Sequence, residues 1–318
     1  MMQKQLARVM LLLLAMVLVG CSGGEDAAPG AAAAARAADW LVAAHQNDDG
    51  GYTGFSTGAN QAPSDTVGTI DALPALAAGG DIAPALDYLR ANGPALQAMA
   101  AEDGGQAGKI VLALRAAGVD PADFEGHDYT ADLAAHLGPD GAFAVDPYKQ
   151  ALAMLGMAAA GQEIPTAAVD SLESSQSAEG SWDDGFGTLD NADATAMAVM
   201  ALLAAGRSVD DTAMAAAVDF LTTSQAAEGG WSYGAGLPVS ANSTAVVVQA
   251  LIALGIDPTA TDGEWAKAGR SPLDALLAWQ GESGAFQADF GDGPFDDFYS
   301  TVQAVPAAAG RALPPPEG

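Results

Sequence analysis

The chain has 318 residues and carries 11 Lys and Arg against 40 Asp and Glu, for a net charge of −29. A field of this sign repels nucleic acid and anionic membrane surfaces, and no basic stripe offsets it, so nucleic-acid binding is excluded. The single cysteine excludes an internal disulfide framework and a thiolate metal site in the folded part.

The first segment has the pattern of an export signal. A basic lead precedes the apolar run from Val9 to Val19, which is too short to span a bilayer. The run ends in Leu-Val-Gly-Cys, which resembles a bacterial lipobox and implies cleavage before Cys21 and lipidation of its thiol. A plain secretory signal or an uncleaved anchor is the alternative. We predict an exported, membrane-anchored lipoprotein at the cell surface or in the periplasm, divided into a signal peptide (1–20), a lipidated Cys and tether (21–30), one helical domain (31–314) and a tail (315–318).

The body of the chain is an internal repeat. The frame Q-x-x-x-G-x-aromatic begins at Gln46, Gln176, Gln225 and Gln280, and weaker copies begin at Ala100 and Leu137. Six copies, about 47 residues apart on average, account for nearly the whole chain after the signal. We therefore expect one repeat domain.

Each copy joins two helices of different character. An amphipathic helix precedes the frame, a Gly- and Asp-rich turn follows it, and a second helix is then apolar nearly all round. In four second helices a Ser, Asn or Asp one or two residues before a Thr is predicted to be the N-cap. The second helices are predicted at 64–80, 105–118, 146–161, 191–206, 241–255 and 296–310.

Such hairpins cannot bury their second helices alone, so neighbouring copies must stack. An open array needs polar caps at both ends, and no atypical polar end unit is present. We therefore expect a closed double ring. No segment alternates with period two over enough length to indicate a sheet.

The frame resembles the QW repeat of the squalene and terpenoid cyclases and of the protein prenyltransferase β subunits. This resemblance implies an all-α, six-hairpin (α/α)6 toroid with a central cavity. The Gln amide can bond a neighbouring helix end and the aromatic can fold back on the helix just ended, which predicts a structural staple. Gln176, Trp182, Gln225 and Trp231 are accordingly predicted to be stability residues.

Catalysis by this family's routes has little support in the sequence. Cyclases that protonate an alkene carry a D-x-D-D-T-A motif, and the matching stretch, 191–196, keeps only the middle carboxyl, Asp193. Asp193 is a candidate acid with a raised pKa, although an N-cap is its plainer role. We also expect such a cyclase to need a second domain of similar size.

No metal site is expected. The zinc-binding prenyltransferases use Asp, Cys and His, whereas the three histidines here, His45, His127 and His136, show no ligand spacing. The acidic loops at 47–51 and 289–297 do not match the twelve-residue calcium loop, and solvated turns are the plainer interpretation.

A binding function is the third branch of the resemblance. The stretch at 191–202 is also similar to the S-V-D-T-x-A-M-A signature of the transcobalamin and intrinsic-factor toroid, which implies cobalamin as a ligand. Relatives of that kind carry a small β domain, and we expect none here because the sequence ends at Gly318, which weakens cobalamin binding.

We therefore favour a monomeric, non-catalytic ligand-binding or interaction module for a small amphipathic or hydrophobic molecule, uncharged or cationic. The alternative is a degenerate cyclase- or prenyltransferase-type enzyme with Asp193 as residual acid. The ligand is expected at the N-terminal mouth of the second helices, although these side chains could equally be ordinary helix caps. The predicted ligand-binding residues are Asp65, Gln106, Tyr148, Asp190, Asp193, Asn242, Asp297 and Tyr299.

Overall fold

The computed structural model describes residues 29–54, 58–144, 146–188 and 190–315. The predicted signal peptide and Cys21 lie outside these residues, so lipidation stays a prediction. No helix in the described part of the chain combines the length and the apolar character that a membrane span requires.

The named elements of the described chain are helices and one two-stranded antiparallel pair, β1 (Gln287–Ala288) with β2 (Phe295–Asp296), in which Gln287 lies opposite Asp296. The helices are α1 (Pro29–His45), α2 (Thr66–Gly79), α3 (Ala83–Ala91), α4 (Gly93–Ala100), α5 (Gly104–Ala116), α6 (Tyr129–Ala135), α7 (Pro147–Ala159), α8 (Thr166–Ser174), α9 (Ala192–Ala204), α10 (Thr212–Thr223), α11 (Ala241–Ala253), α12 (Pro272–Leu277) and α13 (Phe298–Ala308).

The helices form two concentric layers. The six apolar helices α2, α5, α7, α9, α11 and α13 each pack on the next, and α13 packs on α2, which closes the inner ring. The last repeat also meets the first, because the Gln280 amide donates to the carbonyl of Ala33 at 2.8 Å. The predicted closed, six-hairpin α/α toroid is confirmed.

Two details of the first units differ from the prediction. The outer helix of the second unit is split into α3 and α4, with Gly93 and Pro94 opening the second piece. Helix α1 begins at Pro29, so the last two residues assigned to the tether are helical. Gly30 lies there in close contact with the end of α13, where a Cβ at Gly30 would clash with the Ala308 carbonyl oxygen.

The repeated Gln, Gly and Trp form the staple that the frame predicts. The Gln225 amide donates to the Gly229 carbonyl at 2.8 Å and to the Trp265 carbonyl, in the next unit, at 2.9 Å. Trp231 is fully buried, and its indole N–H donates to the Leu221 carbonyl of the helix just ended at 2.7 Å. Gln176 and Trp182 make the same contacts one unit earlier.

A different residue provides the staple in the unit at 137–143, where Leu137 replaces the Gln. The Gln150 amide, from α7, donates to Gly141 and Ala168 at 3.1 and 3.2 Å, and its Oε1 accepts the Phe143 N–H at 2.7 Å. In the regular units a threonine accepts this last bond, as Thr244 does from the Trp231 N–H. Gln150 therefore fills both roles.

The weak copy predicted at Ala100 is wrong. Ala100 is the last residue of α4 and Gly104 already begins α5, so no staple turn separates them. Helices α5 and α7 instead pack through glycine: a Cβ at Gly108 would lie 2.5 Å from the Leu152 carbonyl oxygen. This close approach tolerates no side chain at Gly108.

Candidate active and ligand site at the mouth of the ring

Each inner helix begins with a side chain that accepts a hydrogen bond from its own first turn. The caps are Asp65, Asp103, Asp146, Asn191, Ser240 and Asp297. The predicted cap one residue before Thr66 is therefore correct, whereas in the three other cases the cap lies four residues before the threonine. The carboxylates of Asp65 and Asp297 each accept a hydrogen bond from the first turn of their own helix. That these two residues also contact a ligand stays a prediction.

One face of each inner helix points to the centre of the ring, where the charges of Asp71 and Asp193, from two other inner helices, both act on the Tyr148 phenol. It carries the second residue after the cap and, one turn further, the sixth. We call these positions the lumen stripe. Its upper layer, two residues after each cap, consists of Val67, Tyr148, Asp193, Asn242 and Tyr299. Its lower layer, six residues after each cap, consists of Asp71, Lys109, Leu152, Met197, Val246 and Gln303. At the equivalent upper position of α5, Gly105 packs on Lys149 instead.

Asp193 is the buried carboxyl of the upper layer. The residue is 7% exposed, its Oδ1 has no hydrogen-bond partner, and its carboxyl group is hydrogen-bonded by Ser243 on α11. Burial raises the pKa of Asp193 to about 7, the Ser243 hydrogen bond opposes the rise, and the charge of Asp184 adds to it. The expectation that Asp193 caps α9 is wrong, because Asn191 is the cap and its Oδ1 accepts the Ala194 N–H at 2.8 Å. Asp193 is thus free to hold a proton near neutral pH.

Asp184 is a second buried carboxyl, in the loop that precedes α9. Burial tends to raise its pKa, but hydrogen bonds from the Tyr233 hydroxyl and from the N–H groups of Phe186 and Thr188 outweigh burial, and the pKa is lowered. The Tyr233 carbonyl in turn accepts a bond from the cap Asn191 at 2.8 Å. Asp184 is therefore held ionised where Asp193 is held neutral. Two carboxyls with opposite pKa shifts are typical of acid–base sites.

Three other predicted residues share the upper layer of the lumen stripe with Asp193. Burial raises the pKa of the Tyr148 phenol. The carboxylates of Asp193, on the next inner helix, and of Asp71, on α2, raise this pKa further. The Asn242 Oδ1 accepts a hydrogen bond from Ser300 on α13. Tyr299 reaches across to the first repeat, where a Cβ at Gly54 would lie 2.7 Å from its hydroxyl.

The two remaining predicted residues, Gln106 and Asp190, lie outside the upper layer and form hydrogen bonds with other residues. Gln106 is half-buried beside the stripe, with its N–H bonded to the cap Asp103 at 2.9 Å. Asp190 lies in the loop before α9 with φ of 53°, and its Oδ1 accepts from Ser181 at 2.7 Å. One carboxylate oxygen of Asp190 is therefore already hydrogen-bonded within the protein.

The basic side chains of the mouth and lumen are already paired. On the lower layer Lys109 forms an ion pair with Asp71, and at the rim the Lys149 Nζ lies 2.7 Å from Asp103 Oδ2. Burial raises the pKa of Asp71, and the charge and hydrogen bond of Lys109 oppose that rise. Within the described ranges, no three His, Cys, Asp or Glu side chains are grouped so as to hold a metal ion.

Sequence reasoning did not find Asp184, Tyr233 or the pair of Asp71 with Lys109. The pair has a signal in the sequence, because both residues stand six positions after an Asp cap. Asp184 follows Trp182 in a loop without a repeat pattern, so only the three-dimensional structure brings it to the site.

Comparison with known proteins supports the same fold. Residues 129–237 match the model of the squalene-hopene cyclase C-terminal domain. No curated protein matches the sequence. The type II terpene cyclase MstE from Scytonema is 19% identical, with a TM-score of 0.63 over 88% of this chain and 97% of that chain.

Two further solved structures have this fold. The ent-copalyl diphosphate synthase from Streptomyces platensis is 21% identical, with a TM-score of 0.52 over 76% of this chain and 49% of that chain. Haptocorrin in complex with Cbi is 14% identical, with a TM-score of 0.56 over 92% and 69%. The resemblance to the cyclase repeat is confirmed: the chain is an α/α toroid with the fold of the type II terpene cyclases.

Proposed function

We propose that the protein binds a polyprenyl-type hydrophobic molecule in the ring and that Asp193 protonates one of its double bonds, which starts a cyclisation of the terpene-cyclase type. The observation that carries this proposal is the buried, largely unpaired Asp193 carboxyl, with a pKa of about 7, on the lumen stripe. An acid whose pKa lies near the working pH is suited to proton transfer.

The chemistry uses residues of this chain alone. The Asp193 hydroxyl donates its proton to an alkene carbon, and the resulting carbocation is attacked by the next double bond of the same molecule. Tyr148 and Tyr299 lie in the same layer as Asp193, where an aromatic ring can stabilise the cation. A final proton loss to the Asp193 carboxylate restores the acid, so the reaction is an isomerisation.

The mouth suits a hydrophobic ligand. Two phenylalanines in the loops that lead into inner helices are almost fully exposed, Phe186 at 88% and Phe290 at 85%. Leu237 and Tyr233 are exposed in the loop between them. Exposed apolar side chains grouped on the loops at one end of the ring are typical of a ligand-binding surface.

The relatives support the same ligand class. MstE is solved with geranylgeranyl dihydroxybenzoate, its substrate, and with merosterolic acid A, its product. The expectation that a cyclase needs a second domain does not apply to that protein, since this toroid covers 97% of the MstE chain.

Turnover in deuterated buffer tests the proposal. The full chain is incubated with geranylgeraniol in D2O, and products are analysed by gas chromatography and mass spectrometry. We expect a cyclic isomer that has gained one deuterium, and its loss in Asp193→Asn. The matched control is Asp128→Asn, which removes the carboxyl cap of the outer helix α6 but keeps a good cap. An unchanged substrate in the parent, or equal turnover in Asp193→Asn, would contradict the proposal.

Non-catalytic binding is the second candidate. It is favoured by the replacement of the motif's flanking carboxylates with Asn191 and Ala194, and haptocorrin shows that a toroid of this fold can be a binding protein. A molecule that binds the parent without chemical change would establish it, with cobinamide, cobalamin and geranylgeraniol as probes. In either case we propose an exported monomer anchored through a lipid on Cys21, testable by membrane fractionation of Cys21→Ser.

A further inference from the structure

We propose that the ligand enters the lumen without a diphosphate head group, because Asp71 pairs with Lys109 and leaves that ammonium unavailable to a diphosphate. This inference rests on the proposed function and names its substrate class: a free alcohol or phenol rather than a diphosphate.

The positions of the cations carry the argument. In the described part of the chain, the cations at the mouth and in the lumen are Lys109 and Lys149. Lys149 is bound to Asp103 at the rim, which leaves Lys109 as the ammonium on the lower layer of the lumen stripe. Its partner comes from a different helix, so the two side chains are held together across the contact of α2 with α5.

The pair is costly as a purely structural element. The Asp71 side chain is 11% exposed and the Lys109 side chain 29% exposed, so both charges lose most of their water. Apolar residues of similar volume stabilise such a contact as well as an ion pair does. A paired ammonium, in contrast, gives the lumen a polar group without a net positive charge that would attract a diphosphate.

The surrounding charges act in the same direction. Asp184 is held ionised, and the caps Asp65, Asp146 and Asp297 place carboxylates around the same mouth. An anionic head group would meet net negative potential along its whole path. Asp71 is therefore the residue that prevents Lys109 from attracting an anion into the lumen.

Binding of inorganic diphosphate provides a test that does not depend on the isoprenoid. We expect no calorimetric binding to the parent chain. In Asp71→Asn the freed Lys109 should make diphosphate binding measurable, with an affinity about tenfold or more above the detection limit set by the parent, the effect of one charge-assisted hydrogen bond. The matched control, Asp103→Asn, keeps its cap but frees Lys149 at the rim, and should not bind diphosphate.

Geranylgeraniol and geranylgeranyl diphosphate then separate the two proposals. The parent should bind the alcohol in preference, and Asp71→Asn should reverse or erase this preference. Diphosphate binding by the parent, or no gain in Asp71→Asn although its circular dichroism is unchanged, would overturn the assignment of Asp71. If the gain is seen but the parent binds neither isoprenoid, the role of Asp71 stands and the proposed function fails.

Discussion

The staple layer and the lumen stripe use the same repeat in opposite ways. At the staple, equivalent positions carry the same groups, and the amides of Gln176, Gln225 and Gln280 each satisfy two carbonyls. On the lower layer of the lumen stripe the equivalent residues all differ, on the upper layer only tyrosine recurs, and the buried carboxyl of Asp193 keeps an unpaired oxygen. The repeated positions build the ring, and the non-repeated ones are where a ligand can be recognised. Substitutions in the two layers should therefore affect stability with different size and sign.

The largest loss should come from the staple tryptophans. Trp182→Ala and Trp231→Ala each remove a fully buried indole and its hydrogen bond, at a cost of about 3–5 kcal/mol in the free energy of unfolding. Chemical denaturation followed by circular dichroism measures this loss. A midpoint equal to that of the parent would contradict the structural role of the staple.

The largest gain in the free energy of unfolding should come from a substitution of Asp193 on the lumen stripe. The folded-state pKa of Asp193 is raised to about 7, so the fold favours the neutral acid. Stability from this group is present below the unfolded pKa of about 3.9 and is lost as pH rises to about 7.

Asp193→Asn should therefore be more stable than the parent above pH 7, by up to about 4 kcal/mol, and equal to it at acid pH. Asp184→Asn is the control of opposite sign: its lowered pKa means that the ionised form stabilises the fold, so the variant should lose stability at neutral pH. Urea denaturation across the pH range measures both. A parent that is as stable as Asp193→Asn above pH 7 would argue against a buried neutral carboxyl.

The staple of the unit at 137–143, which Gln150 provides, can be rebuilt in its regular form by substitution. Gln150→Ala leaves the buried Phe143 N–H and two carbonyls without partners, at a cost of about 2–3 kcal/mol. Gln150→Thr should recover the bond to Phe143, and adding Leu137→Gln should restore the rest, because the half-exposed Leu137 occupies the frame position of the missing amide. A double-mutant cycle measures the coupling. Additive effects of the two substitutions would show that they do not share one staple.

The smallest effect on stability should come from the exposed rim. Phe186→Ala should change the free energy of unfolding by less than about 0.5 kcal/mol, since the ring is in solvent. It should nevertheless weaken geranylgeraniol binding by about 1 kcal/mol, because an aromatic contact is lost. Val209→Ala, exposed in the loop after α9 on the opposite face, is the matched control. Equal effects of both variants on affinity would exclude the rim from ligand entry.

The repeated layer could be predicted from the sequence because its signal is redundant. The Gln–Gly–Trp spacing recurs, each second helix is apolar throughout, and closure follows from the lack of polar end units. Prediction failed where one residue took over the role of another, as Gln150 did for Leu137, since the frame records residue types rather than the bonds they make.

The site could be predicted only in part. Tyr148, Asp193, Asn242 and Tyr299 follow from the starts of the predicted second helices, which set the register of the inner ring. The role of Asp193 does not, because the choice between cap and acid depends on whether Asn191 already provides the cap. Asp184 is brought to the site by an irregular loop, and local sequence carries no information on that contact.

The protonation state of Asp193 tests the central claim most directly. In the carboxyl-labelled protein, the aspartate 13C resonance that is absent from Asp193→Asn is followed as a function of pH. The account predicts a midpoint of about 7 in the parent and a lower midpoint in Asp184→Asn, where a neighbouring negative charge is removed. A midpoint near 3.9, the value of an ordinary exposed aspartate, would contradict the claim that the ring holds a neutral acid at its mouth.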